Sequence, residues 1–379
     1  MSLPRWLAVA AAFTGLTTLT MSTGSSQAAA TVDGTRINEL QVIATHNSYH
    51  RELSGAEQRA QMEVDPGASN LFYSHAPLAQ QLDEQEVRSI ELDVVPDPKG
   101  GLYRWPLVRK DAGLPPLEDP AWEKPGTKVF HMVDADYNTT CVQLTECLKQ
   151  VRGWSQKNPG HVPLLIMLEF KASEDRFERL GGVESAPWEE SAFRTLEREI
   201  RSVFDARHLI TPDDVRRPGL TLEQSVLKHG WPTVARSAGK VMFAMDNTND
   251  VRTAYLAGHP NLEGRVLFTD SQPGTPSAAF MKRNDPLGAN AAEISSLVER
   301  GYIVRTRSDV PMGTVLNRDT AMREAALDSG AQIVSTDFPA AGMSARYDRD
   351  FFVSLPGPHA ARCNPVSAPK NCRHERLEH

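Results

Sequence analysis

Eight short apolar or β-branched runs, most of them ending in polar or charged residues, constrain this chain more than any other feature. They are Leu40 to Thr45, Ser89 to Val95, Lys128 to Val133, Val162 to Phe170, Lys240 to Met245, Arg265 to Thr269, Tyr302 to Thr306 and Ala331 to Thr336. Helix-like stretches separate most of them, among them Val142 to Gln156, Glu189 to Phe204, Ala291 to Arg300 and Arg318 to Ser329. Gly301 and Gly330 fall where a C-cap glycine is expected before the next strand. Strands alternating with helices imply a parallel sheet. Eight such units over roughly 300 residues predict an α/β fold, a (β/α)8 TIM-type barrel in a single domain. A doubly wound open sheet is the competing arrangement. The stretch from Lys171 to Gly239 is long for one crossover and is expected to hold a long helix plus an insertion around Asp213 to Trp231.

The first thirty residues are set aside from the fold. Met1 to Ala30 carries one charge, Arg5, then an apolar stretch from Trp6 to about Met21, then Ala28-Ala29-Ala30. That order reads as a secretory signal peptide. The competing membrane anchor is weaker, because Thr14, Thr17, Thr18 and Thr20 dilute a run already short of the ~20 apolar residues that a span needs. No later segment is long and apolar enough to span. The expected mature protein is therefore secreted, runs over residues 31–379, and carries an extension from about residue 340. Export permits disulfides. Cys141 and Cys147 form one close pair and Cys363 and Cys372 another, so two local bridges are the simplest of the three connectivities. Neither pair has zinc-ligand spacing. A formal net charge of −7 argues against a nucleic-acid partner, which would call for a basic excess.

In a barrel of this kind the active site lies at the C-terminal ends of the strands, and those ends are rich in ionisable residues. They carry Thr45-His46-Asn47-Ser48, Glu91-Leu92-Asp93, Phe130-His131, Glu169-Phe170-Lys171, Asp246, Asp270, Arg305-Thr306-Arg307 with Asp309, and Ser335-Thr336-Asp337. Residues two apart on a strand share a face, so Glu91 and Asp93 point the same way. Carboxylates so close repel unless a proton or a cation lies between them. An isolated E-x-D pairs with a neighbouring Lys or Arg more often than with a metal. With Glu169 and the Asn47 amide oxygen added, the set becomes an all-oxygen site suited to Ca2+ or Mg2+. His46 and His131 flank it, and both titrate near neutral pH, so one can take a proton while the other gives one. Lys171, Arg305 and Arg307 can add positive charge for a phosphodiester substrate, with Asp337 beside them in the substrate-facing set. For each base singly, a salt bridge to Asp246, Asp270 or Asp337 is an equal reading.

At these residues the sequence resembles the phospholipase C-like phosphodiesterase superfamily, and more narrowly the secreted Ca2+-dependent phosphatidylinositol-specific phospholipase C-like proteins of bacteria. Thr45-His46-Asn47-Ser48, Glu91-Leu92-Asp93, His131 and Glu169 carry the likeness. Ile210 to Val215, Gly230 to Thr233, Val304 to Arg307 and Ile333 to Asp337 have the same look. The single motifs are short, and their order on successive strands is what is specific. The resemblance implies His46 as general base, His131 as general acid, and Asn47, Glu91, Asp93 and Glu169 as Ca2+ ligands. It implies cleavage of phosphatidylinositol to diacylglycerol and a cyclic or open inositol phosphate, by a monomer working on phospholipid at a membrane surface. Leu102, Tyr103, Trp105, Leu107 and Trp122, after the second strand, either dip into that surface or pack on the barrel rim. The competing enzymes are a glycerophosphodiester phosphodiesterase and a sphingomyelinase D-like enzyme. A non-catalytic lipid- or sugar-binding barrel is the competing class.

Overall fold

The computed structural model describes residues 34–378. The signal-peptide reading at residues 1–30 lies outside them. Eight parallel strands close into a barrel: β1 Leu40–Thr45, β2 Ser89–Asp97, β3 Leu164–Phe170, β4 Val241–Met245, β5 Leu267–Asp270, β6 Ala278–Lys282, β7 Ile303–Arg307 and β8 Ile333–Thr336. Each pairs with the next in order, and β8 returns to β1. The (β/α)8 architecture is as expected, but its strand list is not. The run Lys128 to Val133 is not a barrel stave. Gly126–Val129 pairs antiparallel with the outer end of β2, Val94 facing Val129. The eighth stave is instead Ala278–Lys282, between β5 and β7, a run not read as a strand. Only Ser271 to Ser277 joins β5 to β6, with no helix between, so the strand–helix alternation that marks the other units is missing there.

The helices fall close to their expected places, at Leu144–Lys157, Glu190–Val203, Ala289–Glu299 and Ala321–Asp328. The last is shorter than expected, because Pro311–Asn317 forms a separate helix and Arg318 turns left-handed between them. The long crossover holds the short Asp175–Glu178 helix, the Glu190–Val203 helix, a two-residue strand beside β4 and then three more short helices up to Ser237.

Period-2 alternation sorts the barrel interior into levels. Leu165, Met167, Glu169 and Lys171 share one face of β3 and its continuation; Met242, Ala244 and Asp246 share one of β4. Ile303, Arg305 and Arg307 do so on β7, and Ile333, Ser335 and Asp337 on β8. The lower positions are apolar and buried, with Val42, Leu165, Met242, Ile303 and Ile333 meeting at the barrel floor. The upper positions are charged. Above the rim, Tyr103, Leu107, Val108, Trp122, Phe130, Tyr137 and Phe177 form a second core under the loops after β2. Tyr103, Leu107 and Trp122 therefore pack down, whereas Trp105 stays 45% exposed.

The seam between β1 and β2 is thin, with one matched pair, Ala44 with Ser89. The tail supplies a further partner for β1: Ala361–Cys363 pairs antiparallel with Leu40 to Val42. Gly330, at φ 78°, lies so close to the tail that a Cβ would fall 2.5 Å from the Val366 side chain. Cys363–Cys372 and Cys141–Cys147 both form, with Cα separations of 6.1 and 5.3 Å. The last turn brings Glu378 onto Arg88 in a two-oxygen pair at 2.6 and 2.8 Å, while one of its oxygens also accepts from the Val162 N–H. Removing the carboxylate strands a mostly buried guanidinium. Glu378→Gln should therefore cost about 1–3 kcal/mol of stability, read as a lower urea midpoint, with catalytic turnover at the far end of the barrel unchanged.

Candidate active site

The loop after β1 sets the first half of the site. Ser48 stitches it to β2: its N–H donates to the Glu91 carbonyl at 2.9 Å, and its hydroxyl accepts from the Glu91 N–H at 2.8 Å. Between these anchors Asn47 takes a positive φ of 45°, uncommon for a residue other than glycine. Its side chain is fully buried, and neither its amide oxygen nor its nitrogen has a protein partner. Asp93 Oδ1 likewise has no partner, and Asp93 Oδ2 has only the Lys171 ammonium, 3.1 Å away. Buried polar groups normally find partners, so these unmet oxygens mark a place built for something else.

The carboxylates converge there. One oxygen each from Glu91, Glu169 and Asp246 lie within 4.8 Å of one another. Asp93 stands opposite Glu169 across the β2–β3 register. Of the residues expected as metal ligands, Glu91 and Glu169 thus meet directly, Asp93 joins them through a shared Lys171, and Asn47 is anchored beside Glu91. Asp246 is an addition; it stood at a strand end in the sequence but was assigned no metal role. The donors are all oxygen and mostly anionic, which suits Ca2+.

Basic side chains interleave with this acidic floor. Lys171 reaches Glu169 at 2.8 Å and Asp93 at 3.1 Å, and Arg305 reaches Glu91 at 2.6 Å. Lys282 pairs with Asp246. Arg305 is buried, also donates to Ser335 at 3.1 Å, and bonds Asn284. Burial pushes the Glu91 carboxyl up to about 7, against the pull of Arg305. Burial also pushes Asp93 well up, against Lys171. At Glu169 burial works the same way, but Lys171 outweighs it and holds the group at about 2.

His46 and Asp337 follow the adjacent ends of β1 and β8, where Thr45 faces Thr336, so they stand side by side. His46 Nδ1 lies 2.8 Å from Asp337 Oδ1. Its Nε2 is 3.3 Å from an Arg307 amino group and 3.9 Å from Glu91. A guanidinium only donates, so Nε2 carries a lone pair and Nδ1 the proton. Burial and then Arg307 lower His46 to about 3, with Asp337 working the other way. Arg307 also donates to Asp337 at 2.6 Å. Asp337 thus serves His46 and Arg307.

His131 arrives differently from the expectation, on the loop beyond the antiparallel Gly126–Val129 strand, not at a stave end. A tight turn from Met132 to Asp136 is held by Asp134, at φ 66°, whose carboxylate accepts from the Leu107 and Val183 N–H groups at 2.8 and 2.6 Å. The turn swings Asp136 back onto His131, with Nδ1 to Oδ2 2.9 Å. Among the described residues Nε2 makes no hydrogen bond. Asp136 and the buried Tyr73, whose hydroxyl is 3.5 Å from His46, were not singled out in the sequence. A turn-forming D-A-D at residues 134–136, ending five residues after the histidine, is the only local signal for Asp136.

The chain matches the family model described as phosphoinositide phospholipase C, Ca2+-dependent, over residues 35–365. No curated protein sequence matches it. Two crystal structures of a calcium-dependent phosphoinositol-specific phospholipase C from a Gram-negative Pseudomonas species resemble it. They are 16% identical, with TM-scores of 0.52 and 0.51 over 87% of this chain and 95% and 96% of theirs, and the second is a myoinositol complex. A Ca2+-dependent phosphatidylinositol-specific phospholipase C from Streptomyces antibioticus is 18% identical over 80% of this chain and 95% of its own, with a TM-score of 0.47.

Asn47→Gly removes a buried, unpartnered amide and eases a left-handed backbone. It should leave the metal-free melting temperature unchanged or higher. It should also weaken Ca2+ binding, measured by calorimetry, by roughly tenfold or more, about 1.4 kcal/mol.

Proposed function

The chain belongs to the Ca2+-dependent phosphoinositide phospholipase C family, and from that membership and the site's geometry we propose that it cleaves phosphatidylinositol at a membrane surface. One observation carries the reading: two histidines, each hydrogen-bonded to a buried carboxylate, flank an all-oxygen cluster in which the Asn47 amide oxygen and Asp93 Oδ1 have no hydrogen-bond partner.

His46 is the general base, because its Nε2 is already unprotonated. It takes the proton of the inositol 2-hydroxyl, whose oxygen forms the new bond to phosphorus. His131, held through Nδ1, gives a proton from Nε2 to the departing diacylglycerol oxygen as the old phosphorus–oxygen bond breaks. The product is a cyclic inositol phosphate, which water opens with the two histidines in exchanged roles. Asn47, Glu91, Asp93, Glu169 and Asp246 would hold the Ca2+, which when bound neutralises phosphodiester charge and lowers the pKa of a coordinated hydroxyl. Arg307, already set against His46 and Asp337, is the basic group beside His46 Nε2, at 3.3 Å. Lys171 and Arg305 mainly balance the carboxylates, and either contacts substrate only by leaving part of its present pairing.

A lipid substrate requires a face that tolerates the bilayer. Five exposed large apolar residues, Trp105, Leu180, Leu287, Val310 and Leu316, lie in segments that follow the C-terminal ends of β2, β3, β6 and β7. This supports reading the mouth as the lipid-facing side.

Two outcomes follow. His46→Ala and His131→Ala should each lower kcat on phosphatidylinositol by about 10²–10⁴-fold, with Ca2+ binding retained and the wild-type product an inositol phosphate. Activity surviving EDTA would remove the metal role, and release of glycerol 3-phosphate or choline would replace the substrate. Trp105→Ala should weaken binding to phosphatidylinositol vesicles in a sedimentation assay by roughly threefold or more, about what burying one aromatic face contributes, without changing the rate on a soluble inositol phosphodiester.

A further inference from the structure

A third histidine stands behind the general acid, and the reaction as described does not use it. His50 is fully buried in the loop after β1. Its Nδ1 lies 3.1 Å from the Tyr73 carbonyl oxygen and its Nε2 2.9 Å from Asp136 Oδ2. A carbonyl and a carboxylate both accept, so both ring nitrogens must donate. His50 is therefore an imidazolium, buried beside a carboxylate.

The same oxygen, Asp136 Oδ2, also receives the His131 N–H at 2.9 Å, while Asp136 Oδ1 has no hydrogen-bond partner among the described residues. One carboxylate oxygen thus serves two histidines, whose rings cross at 88° with centroids 6.4 Å apart. The base side has the same plan. There Asp337 is shared between His46 and the fixed cation Arg307. On each side a reacting histidine leans on a carboxylate that a second cation already holds. The groups facing His50 are few: the Tyr73 ring at 4.8 Å, Asp136 and His131, with the Asp337 charge and His75 further off. Burial favours the neutral ring, and Asp136 outweighs it, which agrees with the donor count.

We propose that His50 is a positioning residue for the general acid, a permanent buried imidazolium that fixes the Asp136 carboxylate and takes up part of its charge, so that His131 is oriented without being over-stabilised as a cation. A carboxylate facing His131 alone would hold the proton on it too firmly for easy transfer to the leaving oxygen. This inference rests on the reading of His131 as the general acid.

Two variants separate orientation from charge. His50→Gln keeps a donor that can reach Asp136 but no charge, whereas His50→Leu keeps only bulk. In histidine-labelled protein, nitrogen NMR should show the His131 titration moving up by about one pH unit in both, the smaller end of what an opposite charge within bonding range produces once it is no longer shared. The upper pH limb of kcat should move with it. In His50→Leu kcat should fall roughly tenfold, with KM and Ca2+ affinity unchanged, and His50→Gln should recover part of the loss. Should His50→Leu not fold, His50→Gln alone decides. An unmoved His131 titration with unchanged kcat would overturn the inference and leave His50 a packing residue. Full turnover in His131→Ala would instead remove the general-acid reading, and this inference with it.

Discussion

Everything at the mouth of this barrel depends on how buried carboxylates are neutralised. Glu91, Asp93 and Asp246 are almost wholly buried, and Glu169 stands among them. Water-free negative charge at that density is costly, and pairing alone rarely repays it. The fold answers with cations from its own strands: Lys171 from the end of β3, Lys282 from β6 and Arg305 from β7. The resulting lattice is incomplete. Asp93 keeps Oδ1 unbonded although Oδ2 meets its lysine, and the Asn47 side chain has no partner on a backbone at positive φ. An arrangement optimised for stability would have replaced these groups. One retained for binding a hard cation would keep them.

The paired histidines show the same economy of charge. Neither is left to water, and neither is given a carboxylate of its own. Asp337 is divided between His46 and Arg307, and Asp136 between His131 and His50. The two acids are reached by different routes. Asp337 comes from barrel register, so it is as rigid as the sheet. Asp136 comes from a five-residue turn anchored by Asp134.

That difference also explains what could be read in the sequence. Strand-end chemistry was legible because a stave imposes a fixed period and a fixed direction, and His46, Glu91, Glu169 and Asp337 followed from it. His131 was found for a partly wrong reason: the run before it is β-branched and apolar, like a stave, yet it pairs antiparallel on the outer edge of β2. Ala278 to Lys282 was missed because no helix announces it. Which base meets which acid was not legible. Arg305 reaches Glu91 across the barrel from a non-adjacent strand, and Lys171 reaches Asp93 diagonally on the neighbouring one, and both are three-dimensional properties. Asp136 and His50 were hidden for the same reason, since their meeting joins the loop after β1 to the turn after Val129.

The thin seam between β1 and β2 has a consequence for the order of assembly. The first stave is held on one side by β8 and is braced near its start by Ala361–Cys363, while Glu378 clamps Arg88 just ahead of β2. The earliest strand thus waits for the latest residues, and its pairings span almost the whole chain. Contacts of such long sequence separation form slowly. The ring closes only when β8 reaches β1, and the same pairing brings His46 to Asp337, so a chain that lacks its last stave also lacks that histidine–carboxylate pair.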